Sequence, residues 1–136
     1  MENLRLLIQA LEYIEDNLTQ PLKTESIADH LYCSKSTIEK LFKYVNNISI
    51  RDYIIRRRMS KASREIVLNP EKSLLDIGIE YGYGSNEAFT RAFYSVWQVS
   101  PSEFRKNPSA FELFPGYRID WELMEEKTMT DRKKLI

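Results

Sequence analysis

Apolar residues recur at Leu4, Leu7, Ile8, Leu11, Ile14 and Leu18, with Glu12, Glu15 and Asp16 between them. That spacing predicts an amphipathic helix, closed near Thr19-Gln20-Pro21 because proline disfavours helix in the residue before it. Thr24 is the expected cap of a short helix, ESIADHL, with Glu25 favourable at its start. Ser34 caps a second helix, KSTIEKLFKYV, whose Ile38, Leu41, Phe42 and Val45 share one face. Asn47 suits a left-handed turn. Ser49 with Asp52 opens a long helix to about Leu68, stopped at Asn69-Pro70. Ser73 with Asp76 opens LLDIGIEY, and Gly82 ends it. Ser85 or Asn86 caps NEAFTRAFYSVW, and Ser100-Pro101 with Glu103 starts one more helix. No segment alternates with period two, so the first 107 residues read as all-α. The segment from Pro108 onward contains a Pro-Gly turn and a weak helical pattern from Trp121 to Met124, and receives no firm assignment.

The pattern occurs twice. Ile27 and Ile77 are 50 positions apart, whereas Ile38 and Phe89, Lys40 and Arg91, Phe42 and Phe93, and Ser49 and Ser100 are 51 apart. One residue is therefore inserted in the second turn, where Tyr83-Gly84-Ser85 stands against Cys33-Ser34. Each copy is a short helix, a tight turn and a helix with a polar outer face, the outline of a helix-turn-helix. The expected architecture is two helix-turn-helix subdomains joined by a long linker helix. Residues 1–48 form the first subdomain, 49–68 the linker, 69–107 the second, and 108–136 a tail of unknown role. At about 1.5 Å rise per residue the linker spans roughly 30 Å, against about 34 Å between successive major-groove faces of B-form DNA. Two helical hairpins packed as a bundle without DNA are the plainer interpretation of the repeat alone.

Charge changes that balance. The formal net charge is zero, but residues 23–64 hold ten Lys and Arg against four Asp and Glu. A solvated helix face is the preferred explanation of a charge run by itself. Together with the polar outer faces of the second helices, the stripe points to a polyanion. The single cysteine, Cys33, excludes an intrachain disulfide and a four-cysteine zinc site. No apolar run is long enough to span a bilayer, and the acidic, periodic start is unlike a signal peptide, which predicts a cytoplasmic protein without a membrane partner.

These residues resemble the AraC/XylS family of transcription regulators. The second half carries Ile77 through Gly82-Tyr83, then Phe89-x-Arg91-x-Phe93, then Ser100-Pro101-x-x-Phe104-Arg105. The first half carries Ile27-Ala28, Ser34, Ile38-x-Lys40-x-Phe42-Lys43 and Arg58-Met59-x-x-Ala62. The likeness covers about residues 3 to 107. It implies a sequence-specific regulator of double-stranded DNA, similar to the short stand-alone stress and drug-resistance activators. Such proteins bind as monomers and recruit RNA polymerase; with no metal or triad constellation in the sequence, neither an enzyme nor a cofactor is expected. Lys40 departs from a frequent arginine, which turns a bidentate contact into a point charge. Gly78 departs from a usual alanine and is expected to weaken its helix by up to roughly 1 kcal/mol. Gln98 departs from a frequent glycine.

The candidate DNA-contacting residues are Ser34, Lys35, Ser36, Thr37, Glu39, Lys40 and Lys43 in the first copy, and Ser85, Asn86, Glu87, Thr90 and Arg91 in the second. Arg91 is the candidate for guanine readout through O6 and N7, the competing role being an ion pair with Glu87. Lys43, Arg56, Arg57 and Arg58 are phosphate candidates, although Arg58 equally suits a tie between the halves. Glu39 and Glu87 can accept from cytosine but repel phosphate. Cys33 and His30 are three apart, yet nothing else supplies a nucleophile's surroundings. Cys33 is expected in the core and His30 at the surface. A protein-interaction module, or an antagonist pairing with other regulators, is the alternative function.

Overall fold

The computed structural model describes residues 2–108. It contains α1 (Glu2–Asp16), α2 (Thr24–His30), α3 (Lys35–Asn46), α4 (Ile50–Leu68), α5 (Leu74–Glu80), α6 (Asn86–Trp97) and α7 (Pro101–Lys106), with no strand among these residues. The protein is all-α, with two helix-turn-helix hairpins, α2–α3 and α5–α6, and the long helix α4 between them in sequence. The described residues divide into two compact units that meet within α4, between Ile54 and Ile55. The tail from residue 109, including the weak pattern at Trp121 to Met124, lies outside the described residues.

In the first unit α2 and α3 pack on α1 and on each other. Its core is aliphatic: Leu7, Leu11, Ile14, Ile27, Ile38 and Val45 are buried, joined by Phe42 and Tyr53 with ring centroids 5.4 Å apart. The second unit is built on aromatic rings. Phe93 packs edge-on against Phe89 at 5.9 Å and against Phe104 at 5.4 Å, and Trp97 lies 6.0 Å from Phe104. Trp97 donates its indole N–H to the Met59 carbonyl at 3.2 Å, tying α6 to α4 within this unit.

The two short helices end in the same hydrogen-bonded turn. The Cys33 N–H donates to the Ala28 carbonyl at 3.0 Å and the Tyr32 N–H to Asp29 at 3.2 Å. Fifty residues later Tyr83 donates to Gly78 at 3.0 Å and Gly82 to Ile79 at 3.0 Å. This is the Schellman arrangement, which needs one left-handed residue. Gly82 supplies it with φ +92°, and Tyr32 supplies it with φ 55°. Helices α3 and α6 also end alike, with Asn47 (φ 55°) and Gln98 (φ 58°) as left-handed caps.

Several expectations need correction. Helix α1 ends at Asp16 rather than near Pro21. The Asn17 N–H bonds to Ile14 and its side-chain amide donates to the Tyr13 carbonyl at 2.8 Å, turning the chain early. Thr24 is the first helical residue of α2, not its cap; Lys23 holds the cap position and makes no side-chain capping bond. Ser85, not Asn86, caps α6. Gly78 is not a simple loss of helix propensity. A methyl group there would lie 2.9 Å from Phe89 Cγ and 3.0 Å from its Cβ, so the phenyl ring occupies the space that alanine would need. The corresponding pair in the first copy is Ala28 and Ile38.

A second feature fixes α5 against the end of α4. Lys72 donates to Glu65 at 2.8 Å and also to Glu80. Burial opposes ionisation of Glu65, but the bond from Lys72 and its charge help to outweigh it, and the carboxyl is held below the usual range. Bonds to Glu65 and then Glu80 raise the Lys72 ammonium. Burial first, then the two carboxylates, pushes the Tyr81 phenol up.

Gly78→Ala should lose about 1–2 kcal/mol in urea unfolding, since overpacking exceeds the propensity gain. The loss should shrink in a Phe89→Ile background, and equal losses in both backgrounds would exclude the contact as the cause. Lys72→Met should cost about 1–3 kcal/mol at neutral pH by leaving two facing carboxylates. Glu65 has a depressed folded pKa, so its contribution is present above the unfolded value and fades as pH falls through the folded one. Without Lys72 the Glu65 carboxyl titrates higher, so the deficit measured by unfolding should narrow below about pH 5.

Candidate nucleic-acid interface

Helices α3 and α6 are each preceded by a serine that satisfies an otherwise unpaired amide. Ser34 Oγ accepts from the Thr37 N–H at 3.1 Å and shares a hydrogen bond with the Thr37 hydroxyl at 2.8 Å. Ser85 Oγ accepts from the Ala88 N–H at 3.1 Å. These two candidates thus first set where their helices start.

Burial then divides each helix. In α3, Ile38, Phe42 and Val45 are buried, whereas Lys35, Ser36, Glu39, Lys40 and Lys43 are exposed and Thr37 is half-buried. In α6, Phe89, Phe93, Val96 and Trp97 are buried, whereas Asn86, Glu87 and Arg91 are exposed and Thr90 is half-buried. Phe89, Phe93 and Trp97 are therefore core residues rather than platforms for bases.

The charges are not equally available. Lys35 Nζ lies 2.9 Å from Glu25 Oε1 and 3.8 Å from Glu39 Oε1. The Glu25 hydrogen bond raises the Lys35 ammonium, and the Lys35 hydrogen bond lowers the Glu25 carboxyl. Lys40, Lys43 and Arg91 have no ion pair among the described residues, so the expected competition between Glu87 and DNA for Arg91 is absent from this conformation. In α4, Arg56, Arg57 and Arg58 are half-buried. Burial lowers the Arg58 guanidinium, which lies near Tyr83 in the second unit.

Cys33 is half-buried rather than fully in the core, and burial raises its thiol, which disfavours the thiolate. His30 is exposed, with its ring 4.3 Å from that of Tyr13. The described residues contain no group of three or more His, Cys, Asp or Glu placed to hold a metal. A shallow groove of about 330 Å³ runs beside α1, lined among others by Glu12, Asp16, Tyr13, His30 and Tyr32. Its carboxylates repel phosphate, so it does not belong with the face of α3. Sequence reasoning missed two things here: the left-handed Tyr32 and the Glu25–Lys35 pair. Gly82, fifty positions after Tyr32, was the available signal for the first.

Two helix-turn-helix hairpins, each with a serine-capped helix exposing polar and basic side chains, define a helix-turn-helix DNA-binding protein. Residues 27–107 match a family model described as a helix-turn-helix domain. The chain belongs to the AraC/XylS family and is an AraC-type DNA-binding transcription regulator. It is 36% identical over 97 residues to the Transposon Tn10 TetD protein of Escherichia coli, covering 71% of this chain and 70% of that one. It is 32% identical over 133 residues to the Right origin-binding protein of Escherichia coli strain K12, covering 96% of this chain. The chain spans only 46% of that relative. Among solved structures, an AraC-type DNA-binding domain-containing regulator from Chromobacterium violaceum superposes with a TM-score of 0.69 at 26% identity, over 76% of this chain and 95% of that one. The C-terminal domain of AraT, a response regulator from Geobacillus stearothermophilus, gives 0.71 at 27% identity, over 74% and 84%. No helix among the described residues is long and apolar enough to cross a membrane.

Proposed function

We propose that the protein reads a bipartite DNA site by inserting α3 and α6 into successive major grooves of one duplex. The observation that carries this reading is the paired outer face. Lys40 and Arg91 stand 51 residues apart at matching positions of two serine-capped helices, both exposed and both opposite a buried phenylalanine pattern. The 19-residue α4 between the hairpins is roughly 30 Å long, close to one helical turn of DNA. On this reading Ser36, Thr37, Glu39 and Lys40 face bases in one half-site, and Asn86, Glu87, Thr90 and Arg91 in the other. Ser34 and Ser85 position the helices and can donate their hydroxyl protons. Lys43 and the α4 arginines contribute to backbone attraction. The protein acts in the cytoplasm as a monomer on DNA and activates transcription with RNA polymerase. These last features rest on likeness to the family.

Selection of bound sites from random duplexes tests the reading. It should enrich two half-sites one helical turn apart. No enrichment even at low salt would instead favour a protein-interaction module. Arg91→Ala should weaken the selected site by about 1–3 kcal/mol and relax preference at one base pair. Equal weakening on all DNA would remove its base-reading role. Lys43→Ala should lower binding across sequences and reduce the salt slope by about one. An unchanged slope would take Lys43 out of the phosphate-contacting set.

A further inference from the structure

The first reading helix opens with a cation that the protein itself neutralises. Lys35 is the first residue of α3, and its ammonium is held by Glu25 across the turn and by Glu39 one helical turn later. A lysine at a helix N-terminus gains nothing from the helix dipole, which favours anions there. Two carboxylates around one ammonium take Lys35 out of the free cations of a helix that otherwise offers Lys40 and Lys43. The hairpin does not require this arrangement. In the second copy the corresponding positions hold Leu75, Asn86 and Thr90, and α5–α6 forms the same turn without it.

We propose that Glu25 is a specificity-determining residue: by holding Lys35 it withholds a cation from the DNA backbone and suppresses non-specific binding. This rests on the reading that α3 faces DNA. Non-specific affinity comes almost wholly from cations that displace counterions from phosphates. Removing one cation from that set lowers affinity for random DNA by the whole factor which that cation would contribute. At a cognate site the base contacts of α3 and α6 fix the pose, and in the proposal the Glu25–Lys35 pair stays intact there, so its loss changes cognate affinity less. The pair is exposed on both sides, so it is weak, salt-screened and reversible. It therefore acts as a bias on encounter with DNA rather than as a block.

Glu25→Gln keeps the side-chain shape and removes the charge. Its binding to a random-sequence duplex and to the selected site should be measured across a salt series. Non-specific association should rise roughly two- to five-fold at about 0.1 M salt, with the salt slope steeper by about one and the specificity ratio reduced. In a Lys35→Ala background the same substitution should have no such effect. An unchanged slope, or a gain that persists without Lys35, overturns the proposal. Lys40→Ala and Lys43→Ala separate the two levels of inference. If neither weakens DNA binding, the placement of α3 on DNA fails and this proposal fails with it. If they weaken it while Glu25→Gln changes nothing, only the proposal fails. Glu25→Lys, which reverses the charge, should exaggerate the effect; a weaker or absent effect counts against it.

Discussion

Each reading helix is aimed by a two-residue reversal in which a buried helix carbonyl captures an amide beyond the helix end. Ala28 accepts from Cys33, and Gly78 accepts from Tyr83. The bond fixes where the next serine falls, and that serine fixes the first amide of the reading helix. From there the period of 3.6 decides the rest. Ile38 and Phe42, or Phe89 and Phe93, turn inward, and Glu39, Lys40 and Arg91 between them are left exposed. The polar faces are thus a consequence of turn geometry and core burial, before any DNA contact is considered.

The two copies meet the same constraint with different side chains. The first turn places a tyrosine in a left-handed conformation, a strain that glycine avoids in the second. Tyr32 is 97% exposed, so no packing within the hairpin compensates for it. The second copy moves bulk the other way. It removes a methyl group at Gly78 and fills the gap with the Phe89 ring, the start of an aromatic cluster that continues through Phe93, Trp97 and Phe104. The helix-weakening glycine and the large ring form one packing solution, and neither is intelligible alone.

That coupling marks the limit of what the sequence made legible. Helix existence, the serine caps, the left-handed Asn47 and Gly82, and the inward-facing residues all follow from local spacing, because propensity, capping and amphipathicity agree there. The repeat also located the outer faces of α3 and α6 without coordinates. What escaped were relations across the turn. The need for glycine at position 78 depends on a ring eleven residues later, and the partner of Lys35 lies ten residues earlier on another helix. The early end of α1 depends on Asn17 bonding back to Tyr13, a contact that competes with the distant proline as a stop signal. Side-chain geometry in three dimensions, rather than sequence spacing, decides each of these.

The electrostatic division between α3, the first head, and α6, the second, has its own logic. A chain with no net charge cannot rely on its overall field to hold it on DNA, so its local cations must do that work within a screening length. The first head is rich in lysine, a strongly hydrated point charge that suits phosphate but discriminates bases poorly. Its leading lysine is also tied to two carboxylates. The second head carries a single basic residue, Arg91, whose planar fork can recognise guanine through two bonds and which has no ion pair among the described residues. On the proposed reading, the first head favours attraction that is held in check, and the second favours readout. On that same reading both half-sites are needed together, because neither the restrained lysines nor one arginine supplies affinity and discrimination at once.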